Sequence, residues 1–294
     1  MNGIINVLKP PGMTSFDVVG YLRRILKTKK IGHTGTLDPA ACGVLLVCVG
    51  NATKAIEFLT DDNKRYTAEL TLGIETDTQD STGQILSCKN ANISAESIKE
   101  AIEFFKGDIL QIPPMYSAIK LNGKKLYELA RQGISVEREA RKVHIYFIEI
   151  LSINKDKVLF DVKCSKGTYI RTLCADMGKK LGCGGHMSFL LRTAAGGFTL
   201  DTSLTIQQVE EYAKNGEIAS KLIKVESVFS DLNHIRMSAN QFKLFINGVF
   251  VKTSNTLLKE GDILKVYDHN NKFSAIGEVI RRDSLYIKSK KQFI

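Results

Sequence analysis

Asp38 and His33 stand five residues apart on Gly32-His33-Thr34-Gly35-Thr36-Leu37-Asp38-Pro39, just ahead of the apolar run Val44-Leu45-Leu46-Val47-Cys48-Val49-Gly50. A carboxylate and an imidazole at the mouth of a buried strand suit nucleophilic or acid–base work, which rigid scaffolds commonly present on loops. Gly32 and Gly35 admit backbone angles closed to other residues, and Pro39 keeps Asp38 out of the helical region, so both groups sit on a tight bend. The same octapeptide also suits a structural turn, with Asp38 capping amides and His33 making a local hydrogen bond. As a nucleophile Asp38 must be ionised, and a nearby guanidinium would hold its pKa low. Arg171 is the candidate: Ile170, Leu173, Cys174, Met177 and Leu181 form a helical stripe, and at about 100° per residue Tyr169 and Arg171 fall on its opposite flanks. Tyr66 adds an aromatic that, if exposed, could stack on a planar ring; its alternating strand equally suits a core position.

These side chains need elements to position them. Gly3 to Leu8 reads as a strand stopped by Lys9-Pro10-Pro11-Gly12, and Thr14 or Ser15 then caps a helix carrying Val18, Val19, Leu22, Ile25 and Leu26. Thr53 to Leu59 suggests a short helix. From Lys64 to Gly73 the period is two, which turns Tyr66, Ala68, Leu70 and Leu72 to one face. The acidic stretch Glu75 to Gly83 lacks the spacing of a calcium loop, so its carboxylates are expected to cap turns. Ser94 opens a helix that Gly107 closes. Two β-rich runs, Val143 to Ile153 and Val158 to Cys164, flank the turn Asn154 to Lys157. Gly182, Gly184 and Gly185 end the helix that starts after Gly167, and Leu190, Leu191 and Arg192 lead into a strand-like Thr193 to Thr199. Thr205 and Gln208 make a capping box.

Composition narrows the class. The 294 residues include 41 Lys or Arg against 31 Asp or Glu, a net charge of +10, which favours a polyanionic partner such as nucleic acid. The basic segment at about 114–142 is expected to grip it. Residues 235–294 alone carry 11 basic and 5 acidic side chains on short strands broken by glycine and asparagine, the texture of a small β-rich module. No run reaches the roughly 18 apolar residues of a membrane span and no secretory leader is visible, so a cytoplasmic protein is expected. The six cysteines lack zinc spacing and are expected to be reduced core thiols. No motif seats a nucleotide cofactor or a metal.

Several motifs in order give the chain a resemblance. Gly3-Ile4-Ile5-Asn6-Val7-Leu8-Lys9-Pro10-Pro11-Gly12-Met13-Thr14-Ser15, the Gly32–Pro39 stretch, Lys64-Arg65-Tyr66 and Cys164-Ser165-Lys166-Gly167-Thr168-Tyr169-Ile170-Arg171-Thr172-Leu173 resemble the motifs of the TruB family of bacterial tRNA pseudouridine-55 synthases. One departure is Cys42, where the family has threonine, a change expected to affect packing. The resemblance implies an α+β fold, with a mixed, largely antiparallel sheet and flanking helices, plus a small C-terminal β-rich PUA-like domain. It places a catalytic domain at 1–232, with the RNA-gripping insertion at about 114–142, and an RNA-binding domain at 233–294. It implies isomerisation of uridine 55 in the tRNA T loop without cofactor or metal, by a monomer acting on a base taken out of its stack. Asp38 would be the nucleophile at ribose C1′ or uracil C6, and Arg171 its partner. Tyr66 would stack on the uracil, Tyr169 would line the pocket and help remove the C5 proton, Leu190 would line it too, and His33 would fill the vacated space. Two other classes stay open: a non-catalytic RNA-binding or RNA-folding protein, and a guide-RNA-dependent synthase of the dyskerin type.

Overall fold

The computed structural model describes residues 1–60, 62–121 and 123–294. The chain begins β1 (Gly3–Lys9), α1 (Ser15–Ile25), β2 (Ile31–His33), β3 (Cys42–Val49), α2 (Ile56–Thr60) and β4 (Lys64–Leu72). Next come the hairpin β5 (Ile74–Thr76) and β6 (Ile85–Cys88), α3 (Ala95–Glu103) and β7 (Gly107–Gln111). The basic segment holds a minimal hairpin, β8 (Lys120–Leu121) and β9 (Lys124–Lys125), and α4 (Leu126–Ala130); the long pair β10 (Arg141–Asn154) and β11 (Lys157–Cys164) follows. Then come α5 (Ile170–Lys180), β12 (Gly185–Ala195), β13 (Phe198–Thr199), β14 (Leu204–Thr205), α6 (Ile206–Lys214) and α7 (Ile218–Lys221). The chain ends β15 (His234–Arg236), α8 (Ala239–Ile246), β16 (Val251–Lys252), β17 (Ile263–Tyr267), β18 (Phe273–Arg281) and β19 (Leu285–Gln292).

Local chemistry sets many of these boundaries. Thr14 caps α1 in a capping box with Asp17, Ser94 caps α3, and Thr205 caps α6 reciprocally with Gln208. The large sheet has the order β14-β1-β3-β12-β4-β11-β10-β7, with β2 on β3 and β13 on β12. Two of its pairings, β1 with β14 and β3 with β12, are parallel and the others antiparallel, so the sheet is mixed as expected. α1 and α6 cover the β1–β3 half through Val18, Val19, Leu22 and Val209, whereas α3 and α5 cover the β4–β11–β10 half through Ile98, Ile102, Leu173 and Met177.

The two halves meet at β12. It runs antiparallel to β4 along most of its length and touches β3 through Leu191↔Cys42 and Arg192↔Gly43. The approach at Gly43 is so close that a Cβ there would lie 2.2 Å from the Arg192 carbonyl oxygen, and its φ of +112° is open to glycine. Here the sequence expectation needs correction. The strand begins at Gly185 rather than at Thr193 and ends at Ala195, and Gly196-Gly197 turn the chain before Phe198. Glycines at the start and register shifts at Met187/Phe189 and Arg192/Ala194 hide its alternation.

A second sheet, ordered β15-β17-β18-β19-β16, has its own core of Met237, Phe245, Leu264, Val266 and Ile287. It packs directly on the large-sheet region: Phe229 contacts Phe58 edge-on at 5.1 Å between ring centroids and also meets Phe273 and Phe293. Lys291 bonds Glu57 at 2.6 Å across the same seam. All six cysteines are free thiols; Cys88 is exposed and Cys42 half-buried, so the expectation of core thiols holds for the other four. Among the described residues, no helix is long and apolar enough to cross a membrane.

Candidate active site

The bend that carries Asp38 leaves β2 and returns as β3, and three side chains from elsewhere hold it. Ser15 Oγ, at the start of α1, accepts the Leu37 N–H at 2.8 Å. Lys9, at the end of β1 and 0% exposed, donates through Nζ to the carbonyls of Pro10, Pro39 and Ala41 at 2.8, 3.2 and 2.7 Å. Arg192, on β12 and 2% exposed, donates from Nε to Val44 O at 2.6 Å and from Nη2 to Gly35 O at 3.1 Å. A buried carbonyl without a donor costs about 1–3 kcal/mol, so these contacts fix the bend. The two glycines and the proline give the loop its shape, and the two cations hold it in place.

Arg171, on the first turn of α5, faces Asp38 with a fork: Nε lies 2.9 Å from Oδ2 and Nη2 donates to Oδ1 at 3.1 Å. It is 6% exposed, and its remaining donors reach Tyr116 O at 2.9 Å and Thr78 O at 3.3 Å, with Asp80 Oδ2 3.6 Å from Nη1. Asp80 does cap its own turn, accepting from the Thr78 hydroxyl and from the amide and hydroxyl of Thr82. It also supplies a second carboxylate beside the guanidinium, which its capping pattern could not reveal. Such planar, bidentate pairing is specific to arginine.

Tyr66, Leu190, Leu37 and Ala41 share one buried cluster beneath the bend. Tyr66 is 9% exposed, and its strand parity turns it inward beneath the bend, opposite Arg192. Tyr169 is the N-cap of α5 in extended conformation, so helical counting does not apply to it. His33 ends β2, with its ring Nδ1 accepting the Gly35 N–H at 3.3 Å. Cys42 donates from Sγ to Leu190 O at 3.6 Å.

The electrostatics depart from the sequence expectation at one point. Burial pushes the Asp38 carboxyl above its ordinary 3.8, and although Arg171 and Lys9 oppose this, Asp80 adds to it. The guanidinium therefore recovers part of a desolvation penalty rather than setting a low value. Burial brings the Lys9 amine down to about 8, against the pull of Cys42 and Asp38. The Tyr66 hydroxyl is pushed up to about 12 by burial, with Arg192 as its hydrogen-bonding neighbour. His33 is shifted down by burial and by the Arg192 charge, and Tyr169 up by burial. Among the described residues no three His, Cys, Asp or Glu side chains gather as a metal would require.

The sequence reading missed Lys9, Arg192, Asp80 and Ser15. Arg192 had left a signal, since it shares inward parity with Leu190 two residues before it. Lys9 left none, because its three acceptors lie on other segments or on an ordinary proline turn.

Comparison with known proteins places this arrangement. Residues 23–170 match the family described as TruB family pseudouridylate synthase (N terminal domain), and residues 171–230 match the tRNA pseudouridylate synthase B C-terminal domain. A tRNA pseudouridine synthase B from Alkaliphilus oremlandii is 62% identical over 210 residues, 71% of this chain and 70% of the relative. The one from Clostridium acetobutylicum is 46% identical over 290 residues, 98% of this chain and 99% of the relative. Among solved structures, a chain of a Cbf5-Nop10-Gar1 complex superimposes with a TM-score of 0.75 at 26% identity, covering 99% of this chain and 85% of that one. A chain of an H/ACA RNP bound to a substrate RNA gives 0.73 at 25%, with the same coverage. With adjoining family matches running through the bend, β4 and α5, and near-half identity to a relative over almost the whole length, the chain belongs to the TruB family of pseudouridylate synthases.

Proposed function

We propose that the protein isomerises uridine 55 in the T loop of tRNA to pseudouridine. The observation that carries this reading is the Arg171 fork on Asp38, at a bend fixed by Lys9 and Arg192 where the two halves of the sheet meet. Asp38 acts as the nucleophile, at ribose C1′ or at uracil C6. By either route the N1–C1′ bond breaks, the uracil turns and C5 bonds to C1′, the Asp38 bond is broken again (displaced from C1′ by C5, or eliminated from C6), the C5 proton departs and N1 takes up a proton. Arg171 holds the carboxylate at the attacking angle and favours its ionised form. The uracil rests on Tyr66 and Leu190, with Tyr169 beside the departing C5 proton, and His33 occupies the space the extruded base leaves.

Residues 1–232 form the catalytic part, with the basic segment at about 114–142 closing on the T arm, and 233–294 give a second RNA-binding surface. The protein works in the cytoplasm as a monomer, with tRNA as its partner and without metal or cofactor. A guide-dependent activity has the likeness to the Cbf5 chain in its favour, yet 46% identity to a tRNA pseudouridine synthase B outweighs 26%. The test is release of tritium from tRNA labelled at uracil C5 of position 55, with purified protein and no guide RNA. Release by the wild type, lost in Asp38→Asn with tRNA still bound, is the expected result. Binding without release would favour a non-catalytic RNA-binding protein, and release only with a guide RNA the dyskerin-type reading.

A further inference from the structure

α5 starts without a cap of its own. Tyr169 occupies the N-cap position with φ −100° and ψ 109°, and its side chain makes no capping hydrogen bond. Helix starts usually use Ser, Thr, Asp or Asn for this purpose, because the first N–H groups have no partner within the helix. What is held instead is the N-cap residue itself, by Gln111, 58 residues earlier at the end of β7. Its Oε1 accepts the Tyr169 N–H at 2.7 Å, and its Nε2 donates to the Tyr169 carbonyl at 3.0 Å. Gln111 is 2% exposed, so water is a poor substitute for either bond.

This contact differs from an ordinary cap. One planar amide meets both polar groups of a single residue, which restrains the Tyr169 backbone on both sides of its Cα. The Tyr169 carbonyl also accepts the Leu173 N–H at 3.0 Å, the first bond of α5, so Gln111 ties the residue that starts the helix to β7 on both of its polar groups. The segment that follows Gln111 extends the hold: the Tyr116 carbonyl accepts from Arg171 Nη2 at 2.9 Å, and Ser117 neighbours the Tyr169 hydroxyl.

We propose that Gln111 is a positioning residue that sets Tyr169 for the isomerisation, acting through the Tyr169 backbone and not touching the RNA. The proposal rests on the isomerase reading of the site. A glutamine is required because glutamate keeps the acceptor and loses the donor, while methionine matches the length and loses both.

The experiment uses the full chain and tRNA tritiated at uracil C5, with single-turnover rate constants and separate measurement of RNA binding. Gln111→Met should slow isomerisation about 10- to 100-fold, the scale of a misplaced reacting group, while the Kd for tRNA stays within about threefold. Gln111→Glu should fall between wild type and Gln111→Met. In a Tyr169→Ala background, Gln111→Met should cost less than about twofold further, since the group it positions is gone. An unchanged rate, a rate loss matched by an equal loss of affinity, or losses that multiply in the double variant would each overturn the proposal. Should Gln111→Met fail to fold, Gln111→Glu carries the same rate, affinity and double-variant tests. A wild type that releases no tritium overturns the isomerase reading, and this role with it. An active wild type with any of the contrary results overturns the role of Gln111 alone.

Discussion

The two halves of the Asp38–Arg171 pair should not matter equally to the fold. Arg171 is nearly buried and serves Asp38, Tyr116 O and Thr78 O with Asp80 nearby, so Arg171→Met strands the Asp38 carboxylate and two carbonyls and takes the cation from beside Asp80, whose own turn still holds it. Removing one partner of a buried pair costs about 3–5 kcal/mol. The Asp38 side chain is 33% exposed, so water recovers part of this. We take the lower end, about 3 kcal/mol, or roughly 6–12 °C in Tm. Asp38→Asn removes a group whose ionised form burial disfavours, keeps an oxygen for the guanidinium, and leaves Arg171 its two carbonyl acceptors with Asp80 nearby. Its loss should stay below about 1 kcal/mol, with a small gain equally consistent with a site tuned for activity. The pH dependence has a fixed sign. The folded pKa of Asp38 lies above its unfolded value, so the contribution of its carboxyl to stability is full below 3.8 and is lost as pH rises through the folded value. Asparagine has no such step, and the variant should therefore gain on the wild type between about pH 4 and about pH 7. Urea unfolding of both variants at the two pH values measures this. A loss in Asp38→Asn near pH 7 equal to that of Arg171→Met, or a wild type that gains on it as pH rises, would mean that the ion pair outweighs desolvation and would refute the reasoning.

Gly43→Ala should cost more than about 3 kcal/mol, or prevent soluble expression, because the new methyl would collide with the Arg192 backbone at a positive φ; near-native thermal unfolding would show that β3 and β12 can move apart. Lys9→Met should cost about 1–3 kcal/mol, the loss of donors to three carbonyls being partly offset by relief of a buried charge. The folded pKa of Lys9 is near 8 against an ordinary 10.5, so the wild type should gain on this variant as pH rises across that window, which unfolding at both ends can read. Replacing Lys120, Lys124 and Arg131 together with alanine should weaken tRNA binding and reduce the slope of log K against log salt by about 2–3, at roughly 0.7–0.9 for each phosphate no longer neutralised, as read by salt-titrated filter binding.

What the sequence disclosed and what it hid divide along a physical line. The capping boxes at Thr14 and Thr205 and the β10–β11 hairpin rest on interactions between residues a few positions apart, and these are visible in one dimension. The pairing of Asp38 with Arg171 spans 133 residues, yet it could be inferred because an ionised nucleophile needs a cation and Arg171 lies off its helix's apolar stripe. By contrast, Lys9 reaches Ala41 across 32 residues, Gln111 reaches Tyr169 across 58 and Arg192 reaches Val44 across 148. Their partners are backbone carbonyls and N–H groups, which nearly every residue carries, so nothing in the partner's identity marks the contact. Tyr66 shows the limit differently: alternation fixed its face, but whether that face opens to a ligand or closes on a core depends on the bend that packs over it.

The net charge acquires a second meaning once these contacts are placed. The excess of basic residues suggests a surface for a polyanion, and the exposed lysines of the insertion and the second sheet fit that. Yet among the described residues, buried cations outnumber buried carboxylates: Lys9, Lys64, Arg171 and Arg192 against Asp80 and Asp161. Three of the four cations surround the Asp38 bend. A desolvated carboxylate is raised in energy, and each nearby cation returns part of that cost through a medium where charges are weakly screened. Positive charge inside the site thus permits Asp38 to be both ionised and poorly solvated, the condition under which a carboxylate is most reactive as a nucleophile. On the proposed function, the same positive charge would also favour the approach of an anionic RNA to the bend.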